Sequence, residues 1–267
     1  AQAGDVRISN HWPAAAIAGT LSLAAAMARQ RQQVRQLTDV GVALSSERSH
    51  QALLELILTQ ARHLAGCDAA TIFLTEKHPD GSSELVMRLA QNESVEFPFE
   101  EERLPLDLTS IAGYVTVTGE EINLADAYAP PADRPWRFNG SFDRRFGYRT
   151  SSLYAVALRI PQGEIIGGIE FINRKRNPAA RLTSPETTLS ETLPFSDEIL
   201  PLLRSLASQA AVAIDNNRLL LAIEDMFEGF VVASVTAIEQ RDPATSGHSF
   251  RVARLNTRSE ERRVGKE

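Results

Sequence analysis

A histidine near the carboxyl end of the chain has the surroundings of a metal ligand. His248 lies in the segment RDPATSGHSFRVARL, residues 241–255, directly after a glycine and at the start of an expected helix. A two-metal hydrolytic centre needs several histidine and aspartate ligands. The residues after His248 include neither histidine nor aspartate. One histidine cannot assemble such a centre, so we expect no hydrolysis from these 267 residues alone.

A second pair of side chains has the spacing of metal ligands. His63 and Cys67 are four residues apart near the end of an expected helix, which places them on one face. Cys67 is the only cysteine, so no internal disulfide can form. Because unpaired cysteines usually behave as small buried side chains, we expect a buried thiol at Cys67 rather than a metal site.

The composition limits the classes of partner. The chain carries a formal net charge of -6 with a pI of about 5.5, and 43% of its residues are hydrophobic. That hydrophobic fraction is sufficient for a globular core. An acidic chain is a poor match for a phosphate backbone, so no nucleic acid partner is expected.

The segment 12–28 contains no charged residue and is followed by Arg29, Arg31 and Arg35. Its 17 residues are at the lower limit of a membrane span, and the arginines would then place the rest of the chain in the cytoplasm. Because alanine is the commonest residue of the segment, an Ala-rich helix outside the membrane is the alternative. The expected location is cytoplasmic, with or without an anchor in the inner membrane.

The order of the expected elements predicts an α+β fold. A helix capped by Ser49 and ended by Gly66 precedes two strands, 68–77 and 84–92, joined by a turn. Two more strands, 151–160 and 164–175, follow a long segment without regular structure at 129–150, and a last helix runs from about 198 to 240. Irregular segments of that length often cover a ligand pocket. We therefore expect a sheet with helices and a covered pocket.

Two helices carry apolar side chains in the spacing of helix pairs. One occupies 31–48, and the other is the last helix, whose residues at 3-4 spacing are Leu203, Ala207, Ala210, Ile214, Asn217 and Leu221. An asparagine on such a seam sets the register of a parallel dimer. The alternative is that this face packs on the chain's own sheet, and the spacing alone does not distinguish the two.

Four segments of the chain resemble a GAF domain, the small-molecule sensing module of signalling proteins. They are SIAGYV (110–115), TGEEINLADAY (118–128), FDRRFGYRTSSLYAVAL (142–158) and IIGGIEFINRK (165–175). The resemblance implies a GAF-type antiparallel sheet with helices, flanked by long coiled-coil-like signalling helices. In members that bind cyclic nucleotides, the positions matching Ile111, Ala112, Thr150 and Glu170 contact the ligand.

The resemblance gives those four residues plausible roles beside simpler ones. Backbone N–H groups at the start of the helix at Ile111 and Ala112 favour a phosphate, although both side chains are equally suited to a core. A hydroxyl at Thr150 and a carboxylate at Glu170 can bind base or ribose edges, although Glu170 could also face solvent from an edge strand. The ligand is a cyclic nucleotide, another small molecule, or none.

One motif of the nucleotide-binding members is altered in this chain. Those members carry an Asn-Lys pair followed by Phe, three residues and Asp-Glu. The counterparts here are Asn173 and Arg174, then Phe195, Asp197 and Glu198. Arginine thus replaces lysine, and the gap is shorter.

Residues 226–255 are similar to the start of HD-GYP domains, which hydrolyse cyclic di-GMP. The resemblance implies that His248 is the first ligand of a two-metal centre, and that divalent metals belong to the intact parent enzyme. The His-Asp pair and the Gly-Tyr-Pro motif are not among these residues. The last segment, SEERRVGKE, resembles a translated sequencing adaptor.

The chain is thus expected to be the regulatory GAF module of a bacterial cyclic di-GMP phosphodiesterase, acting as a homodimer. A structural dimerisation scaffold and an active metal-dependent phosphodiesterase are the alternatives. The expected organisation is a membrane anchor or Ala-rich helix at 1–30, a dimerisation helix at 31–48, the GAF domain at 49–222, the start of an HD-GYP domain at 223–256 and an artefactual tail at 257–267.

Overall fold

The computed structural model describes residues 41–44, 47 and 49–241. The helix expected at 31–48 is described only at 41–44, which are helical, and at residue 47. The segment 12–28, His248 and the tail at 257–267 lie outside the described residues. Within the described ranges, no helix is both long and apolar enough to span a membrane.

The first long helix has the two ends that the sequence predicts. Helix α1 spans His50–Ala65, and the hydroxyl of Ser49 accepts a hydrogen bond from the backbone N–H of Ala52. Gly66 ends the helix in the left-handed conformation at a φ of 60°, which glycine adopts without steric cost. Both expected caps of this helix are confirmed.

A single antiparallel sheet forms the centre of the fold. Its strands are β1 Cys67–Lys77, β2 Ser83–Asn92, β3 Glu102–Pro105, β4 Ile122–Leu124, β5 Leu153–Arg159, β6 Ile165–Lys175 and β7 Thr192–Leu193. The spatial order is β3-β2-β1-β6-β5-β4, and β7 pairs with β6. The remaining helices are α2 Ile111–Thr118, α3 Ser141–Phe146, α4 Pro185–Glu191 and α5 Leu200–Arg241. The expected α+β class is confirmed.

The elements expected from the sequence do not include β3, α3 or α4. Strand β3 pairs with β2 just after an acidic run, and α3 interrupts the irregular segment 129–150. Helix α4 lies in the linker after β6, where Ser184 caps it and Pro185 occupies its first turn. A serine followed by proline is a helix-start signal, so α4 could have been found from the sequence.

The two faces of the sheet have different partners. Alternate side chains of β1, such as Ala70, Ile72 and Leu74, share one core with residues of α1 and the first turns of α5. The other alternate set faces α2 and the 129–150 segment, where Leu153 and Ala155 of β5 pack with Ile111. The period of two in a strand therefore divides the buried residues between a closed core and the face that forms the candidate site.

The beginning of α5 packs on its own sheet. Leu203, Ala207 and Ala210 are at most 1% exposed and belong to the core that α1 shares, as does Ile214. For these turns the intramolecular alternative is therefore correct. Asn217 is 3% exposed, so the expected burial of this asparagine is observed.

Residues 216–241 form a second compact unit, which continues the helix. Large apolar side chains of this unit are exposed to solvent, among them Leu219, Leu220, Ile223, Met226, Phe227, Phe230 and Val231. Val232 of the same unit is exposed as well.

Candidate functional site

A cavity of about 220 Å³ lies on the α2 side of the sheet. Its wall includes all four residues expected to bind a ligand, Ile111, Ala112, Thr150 and Glu170. The remaining wall is largely apolar, with Phe73, Met87, Leu104, Phe142, Leu153 and Ile172. The volume is below the range of about 300–1,000 Å³ typical of drug-sized ligands, so the cavity fits a metabolite-sized molecule.

The amino end of α2 forms one part of the wall. Ser110 caps the helix, and its hydroxyl accepts a hydrogen bond from the N–H of Gly113. Ile111 and Ala112 follow, 4% and 5% exposed, and Ala112 packs with Phe73. Both residues are thus packed in the core and also line the cavity, so the core role and the cavity role that the sequence left as alternatives are combined.

Thr150 is held by a carboxylate that the sequence did not single out. Its backbone N–H and its hydroxyl donate to the two carboxylate oxygens of Asp143, at 2.7 and 3.0 Å. The hydroxyl of Tyr128 donates to the same carboxylate at 2.8 Å. Burial and this hydrogen bond raise the pKa of Tyr128 to about 12. Because its proton is used by Asp143, the Thr150 hydroxyl can offer a ligand only its lone pairs.

Glu170 differs from Thr150 in having no hydrogen-bond partner on its side chain among the described residues. It lies on β6, which pairs with β1 and β5 and is therefore not an edge strand. Glu170 lines the cavity and is partly exposed, and burial raises the pKa of its carboxyl group to about 7. The edge-strand alternative is thus wrong, and the acid instead lines the cavity with no side-chain partner among the described residues.

The family model of GAF domains matches residues 49–214. The chain belongs to the GAF family. A solved GAF domain from a phosphoenolpyruvate-protein phosphotransferase of Coxiella burnetii shares the fold, with a TM-score of 0.51 at 20% identity. That comparison covers 71% of this chain and 96% of the other.

Two curated relatives share part of the GAF sequence. A dual 3′,5′-cyclic-AMP and -GMP phosphodiesterase 11A of Takifugu rubripes is 32% identical over 44% of this chain. A dual phosphodiesterase 11 of Drosophila melanogaster is 29% identical over 54% of it. The matches span only 12% and 10% of these two relatives. The GAF domain, and not a catalytic domain, is what this chain is shown to share with them.

The altered motif of this GAF domain has a structural role at the other end of β6. Arg174 donates to the hydroxyl of Ser196 at 3.1 Å and to the carbonyl of Pro194, and makes no ion pair with Asp197 within the described residues. Phe195 is 2% exposed and its ring lies 6.1 Å from that of Tyr154. The motif therefore anchors the segment before α5 and does not line the cavity.

Asn173 connects β6 to the segment that carries Thr150. Its side chain accepts from the N–H of Ser151 at 2.7 Å and donates to the carbonyl of Arg149 and to the hydroxyl of Tyr148. It has a φ of 58°, a left-handed conformation that asparagine tolerates better than most residues. Tyr148 donates in turn to Asp68 at 2.8 Å. These contacts fix one wall of the cavity from β1 and β6.

A buried lysine compensates Asp68. The ammonium group of Lys175, whose side chain is 2% exposed, lies 2.8 Å from Glu93 and 3.6 Å from Asp68. Asp68 also accepts from the hydroxyl of Ser94 at 2.6 Å. Glu170 differs, because Asp68 is fully buried and has a cation and two donors, whereas Glu170 is partly exposed and has no side-chain partner among the described residues.

Aromatic side chains cover the cavity, as the length of the 129–150 segment predicts. The Phe142 ring lies 5.1 Å from Phe97 of the loop between β2 and β3, 4.7 Å from Phe146 and 5.9 Å from Tyr148. The contacts with Phe97 and Tyr148 are edge-to-face and that with Phe146 is tilted, and such ring pairs attract one another weakly. The two loops that close the cavity are thus held together by ring contacts.

No group of three or more potential metal ligands occurs in the described part of the chain. Cys67 is 3% exposed, and burial raises the pKa of its thiol to about 12. Because a metal needs the thiolate, the expectation of a buried structural thiol at Cys67 is confirmed. His248 lies outside the described residues, so its role as a metal ligand stays a prediction.

Proposed function

We propose that this GAF domain is a regulatory module that senses a small molecule in the cavity between α2 and the sheet. The single observation that supports this most strongly is the carboxyl group of Glu170, which lines a mostly apolar cavity and has no side-chain partner among the described residues. Leaving such a group uncompensated costs stability, and a ligand with a hydrogen-bond donor would offset that cost. Ile111, Ala112, Thr150 and Glu170 are the proposed contacts.

Cyclic nucleotides are the first ligands to test. The two curated relatives are named as phosphodiesterases of cyclic AMP and cyclic GMP. The start of α2 offers backbone N–H groups for a phosphate, and Thr150 and Glu170 offer polar groups for a base or ribose. Another small molecule of similar size is the alternative ligand.

A second proposal concerns the parent protein to which this GAF domain belongs. On the resemblance of 226–255 to the start of HD-GYP domains, it is a bacterial cyclic di-GMP phosphodiesterase with divalent metals, of which His248 would be one ligand. The organisation at 1–30, 31–48, 49–222, 223–256 and 257–267 belongs to the same proposal, as does a cytoplasmic location with or without an anchor at 12–28. No nucleic acid partner is proposed.

Signalling would proceed through a homodimer. A ligand that binds two arrangements of the paired helices unequally shifts their populations. Helix α5 begins on the core that the sheet shares with α1, so a change in the sheet can be passed to its axis. The residues beyond 215 would carry that change onward.

The first experiment is thermal unfolding of the whole chain with cyclic AMP, cyclic GMP and cyclic di-GMP. A ligand at 100 times its dissociation constant stabilises the fold by about 2.7 kcal/mol, which is easily measured. Stabilisation by one compound and not by the others supports the sensor. No stabilisation by any of the three argues against a nucleotide sensor. Metal-dependent hydrolysis of cyclic di-GMP by this chain would instead support the active phosphodiesterase.

A structural dimerisation scaffold is the second candidate, and one observation favours it. The exposed apolar residues of 216–237 form a surface of the kind that promotes association. Molar mass from light scattering tests it. A dimer that Phe227→Glu converts to a monomer, with no ligand bound, favours the scaffold; a monomeric wild-type chain contradicts both dimer-based proposals.

A further inference from the structure

Helices α2 and α5 pack on opposite faces of the sheet. Ile111 and Val115 of α2 pack with Ala155 of β5, whereas Leu203 and Leu206 of α5 belong to the core on the other face. The amino end of α2 lines the cavity, and α5 continues past the end of the matched GAF sequence. A ligand in the cavity would therefore touch α2, and its effect has to cross the sheet or pass around an edge to reach α5.

The connection from α2 to the edge strand β4 is short and firmly held. Gly119 ends α2 in the left-handed conformation at a φ of 73°. The backbone N–H of Glu120 donates to the hydroxyl of Thr118 at 3.1 Å, and its carboxylate accepts from the hydroxyl of Tyr114 at 2.6 Å. Glu121 follows directly and precedes β4. Because these bonds attach the connection to α2, a shift of the helix moves Glu121 with it.

Glu121 reaches α5 around the edge of the sheet. Its two carboxylate oxygens accept from Nε and Nη2 of Arg204, each at 2.7 Å. Such a bidentate pair fixes the orientation of the two groups as well as their distance. Arg204 lies one turn into α5, and β4 is the last strand on its side of the sheet. The ion pair thus joins the connection after α2 to α5 on the opposite face.

Tyr154 ties the same carboxylate to the core. Its hydroxyl donates to Glu121 at 2.6 Å, and its fully buried ring lies 5.9 Å from Phe171 and 6.1 Å from Phe195. The hydrogen bond from Arg204 lowers the pKa of Glu121, so this carboxylate is ionised at neutral pH and only accepts. Glu121 therefore has three donors, two from α5 and one from the centre of the sheet.

A second contact joins β4 to the segment before α5. The side-chain amide of Asn123 donates to the carbonyl of Phe195 at 2.9 Å. Strand β4 itself pairs with β5 only over Ile122–Leu124. Because so few backbone hydrogen bonds hold it, this strand can shift at less cost than the long central strands. The edge that connects the two helices is thus also the part of the sheet with the least resistance to movement.

We propose that the Glu121–Arg204 ion pair, supported by Tyr154, is the contact through which a shift of α2 reaches α5. This inference rests on the proposed sensing function, in which a ligand shifts α2. The pair acts by positioning, since neither residue lines the cavity. The Glu121 side chain is 36% exposed and that of Arg204 46%, so the pair adds little to global stability. Its removal therefore leaves the fold intact and uncouples the two helices.

The test needs no ligand, because α2 can be disturbed by removing its cap. Ser110→Ala deletes the hydroxyl that accepts from the N–H of Gly113, and loss of a cap of this kind opens a helix about fivefold more often. Hydrogen exchange of the whole chain at pH 7, read by mass spectrometry, follows both helices. With the ion pair present, we expect Ser110→Ala to speed exchange about fivefold in α2 and about threefold in 203–211, because the two open together.

Two changes at the pair separate coupling from a merely structural role. Arg204→Met removes the ion pair and keeps a long helix-forming side chain, so Ser110→Ala should then speed exchange in α2 and no longer in 203–211. Glu121→Arg alone should abolish the response of 203–211 in the same way. Combining it with Arg204→Glu restores an ion pair of reversed charge and should restore the response. Loss of packing at either residue would not be rescued by this exchange.

Lys77→Gln is the matched control. It removes an exposed ion pair of 2.8 Å between Lys77 and Glu164, which lie in neither α2 nor α5, and the response of 203–211 should persist. A response that also persists in Arg204→Met, or that is missing when the ion pair is intact, would overturn this inference. Neither result depends on nucleotide binding. Stabilisation by a nucleotide without this response would leave the sensing function standing alone, and the response without stabilisation would support the coupling and count against a nucleotide as the ligand.

Discussion

Replacing Glu170 by glutamine should stabilise the unliganded protein above neutral pH and change little in acid. The folded protein holds the Glu170 proton up to a pKa of about 7, whereas the ordinary value for a glutamate is 4.5. Between these values the folded state binds a proton that the unfolded state has released. The free energy of unfolding therefore falls as pH rises from 4.5 to about 7. Above pH 7 the folded protein bears the full cost of burying the ionised carboxylate.

The size of the effect follows from the burial of the group. A rise of the pKa from 4.5 to about 7 corresponds to about 3 kcal/mol, at about 1.4 kcal/mol for each pKa unit. Glu170→Gln has almost the same shape and no titration. We expect the two proteins to have similar stability at pH 4.5, and the variant to be more stable by up to about 3 kcal/mol at pH 8.

Urea unfolding of wild type and variant at four pH values between 4.5 and 8 measures this difference. With a typical slope of about 2 kcal/mol per molar, the midpoints should separate by about 1.5 M at pH 8. Glu100→Gln, at an exposed site, should follow wild type at every pH. Parallel curves for wild type and Glu170→Gln would refute the reasoning, because they would mean that the carboxyl is solvated in the folded protein.

Three further substitutions test the framework of the site by urea unfolding. Asp143→Ala leaves the buried N–H of Thr150 without its acceptor and should cost about 3 kcal/mol; a loss below about 1 kcal/mol would contradict the role of this carboxylate. Gly167→Ala should destabilise by about 2 kcal/mol or more, because an added Cβ would lie 2.0 Å from the carbonyl oxygen of Phe73, whereas Gly229→Ala in an open helical position should be neutral or stabilising. Asn173→Gly removes three hydrogen bonds but still adopts the left-handed backbone without strain. Equal losses of stability for Asn173→Gly and Asn173→Ala would show that the hydrogen bonds, and not the backbone conformation, account for the contribution of Asn173.

Local features of the fold were predictable because their causes are local. Ser49 and Gly66 bound α1 through a cap and a left-handed residue, and both are visible in the sequence. The long strands are visible in their apolar alternation. Strand β3 was missed because it is four residues long and follows an acidic run, so only its pairing with β2 makes it a strand.

The candidate site was predictable only where a family motif marks it. Ile111, Ala112, Thr150 and Glu170 were expected from the GAF resemblance, and the structure places them on one cavity. Asp143 could not have been found, since nothing in a polar irregular segment shows which acid will accept from Thr150. That partnership depends on how the 129–150 segment folds over the sheet.

By itself the sequence determined the helix ends, the alternation of the strands, the acidic charge and the membership of residues in GAF motifs. Tertiary structure alone decided that Glu170 lies in an interior strand and that Thr71 is beside it. It also decided that the first turns of α5 pack on their own sheet. The reason is physical, since propensity and capping act between residues a few positions apart, whereas burial and the partners of a polar group depend on strands that are about 100 residues apart, as Thr71 and Glu170 are.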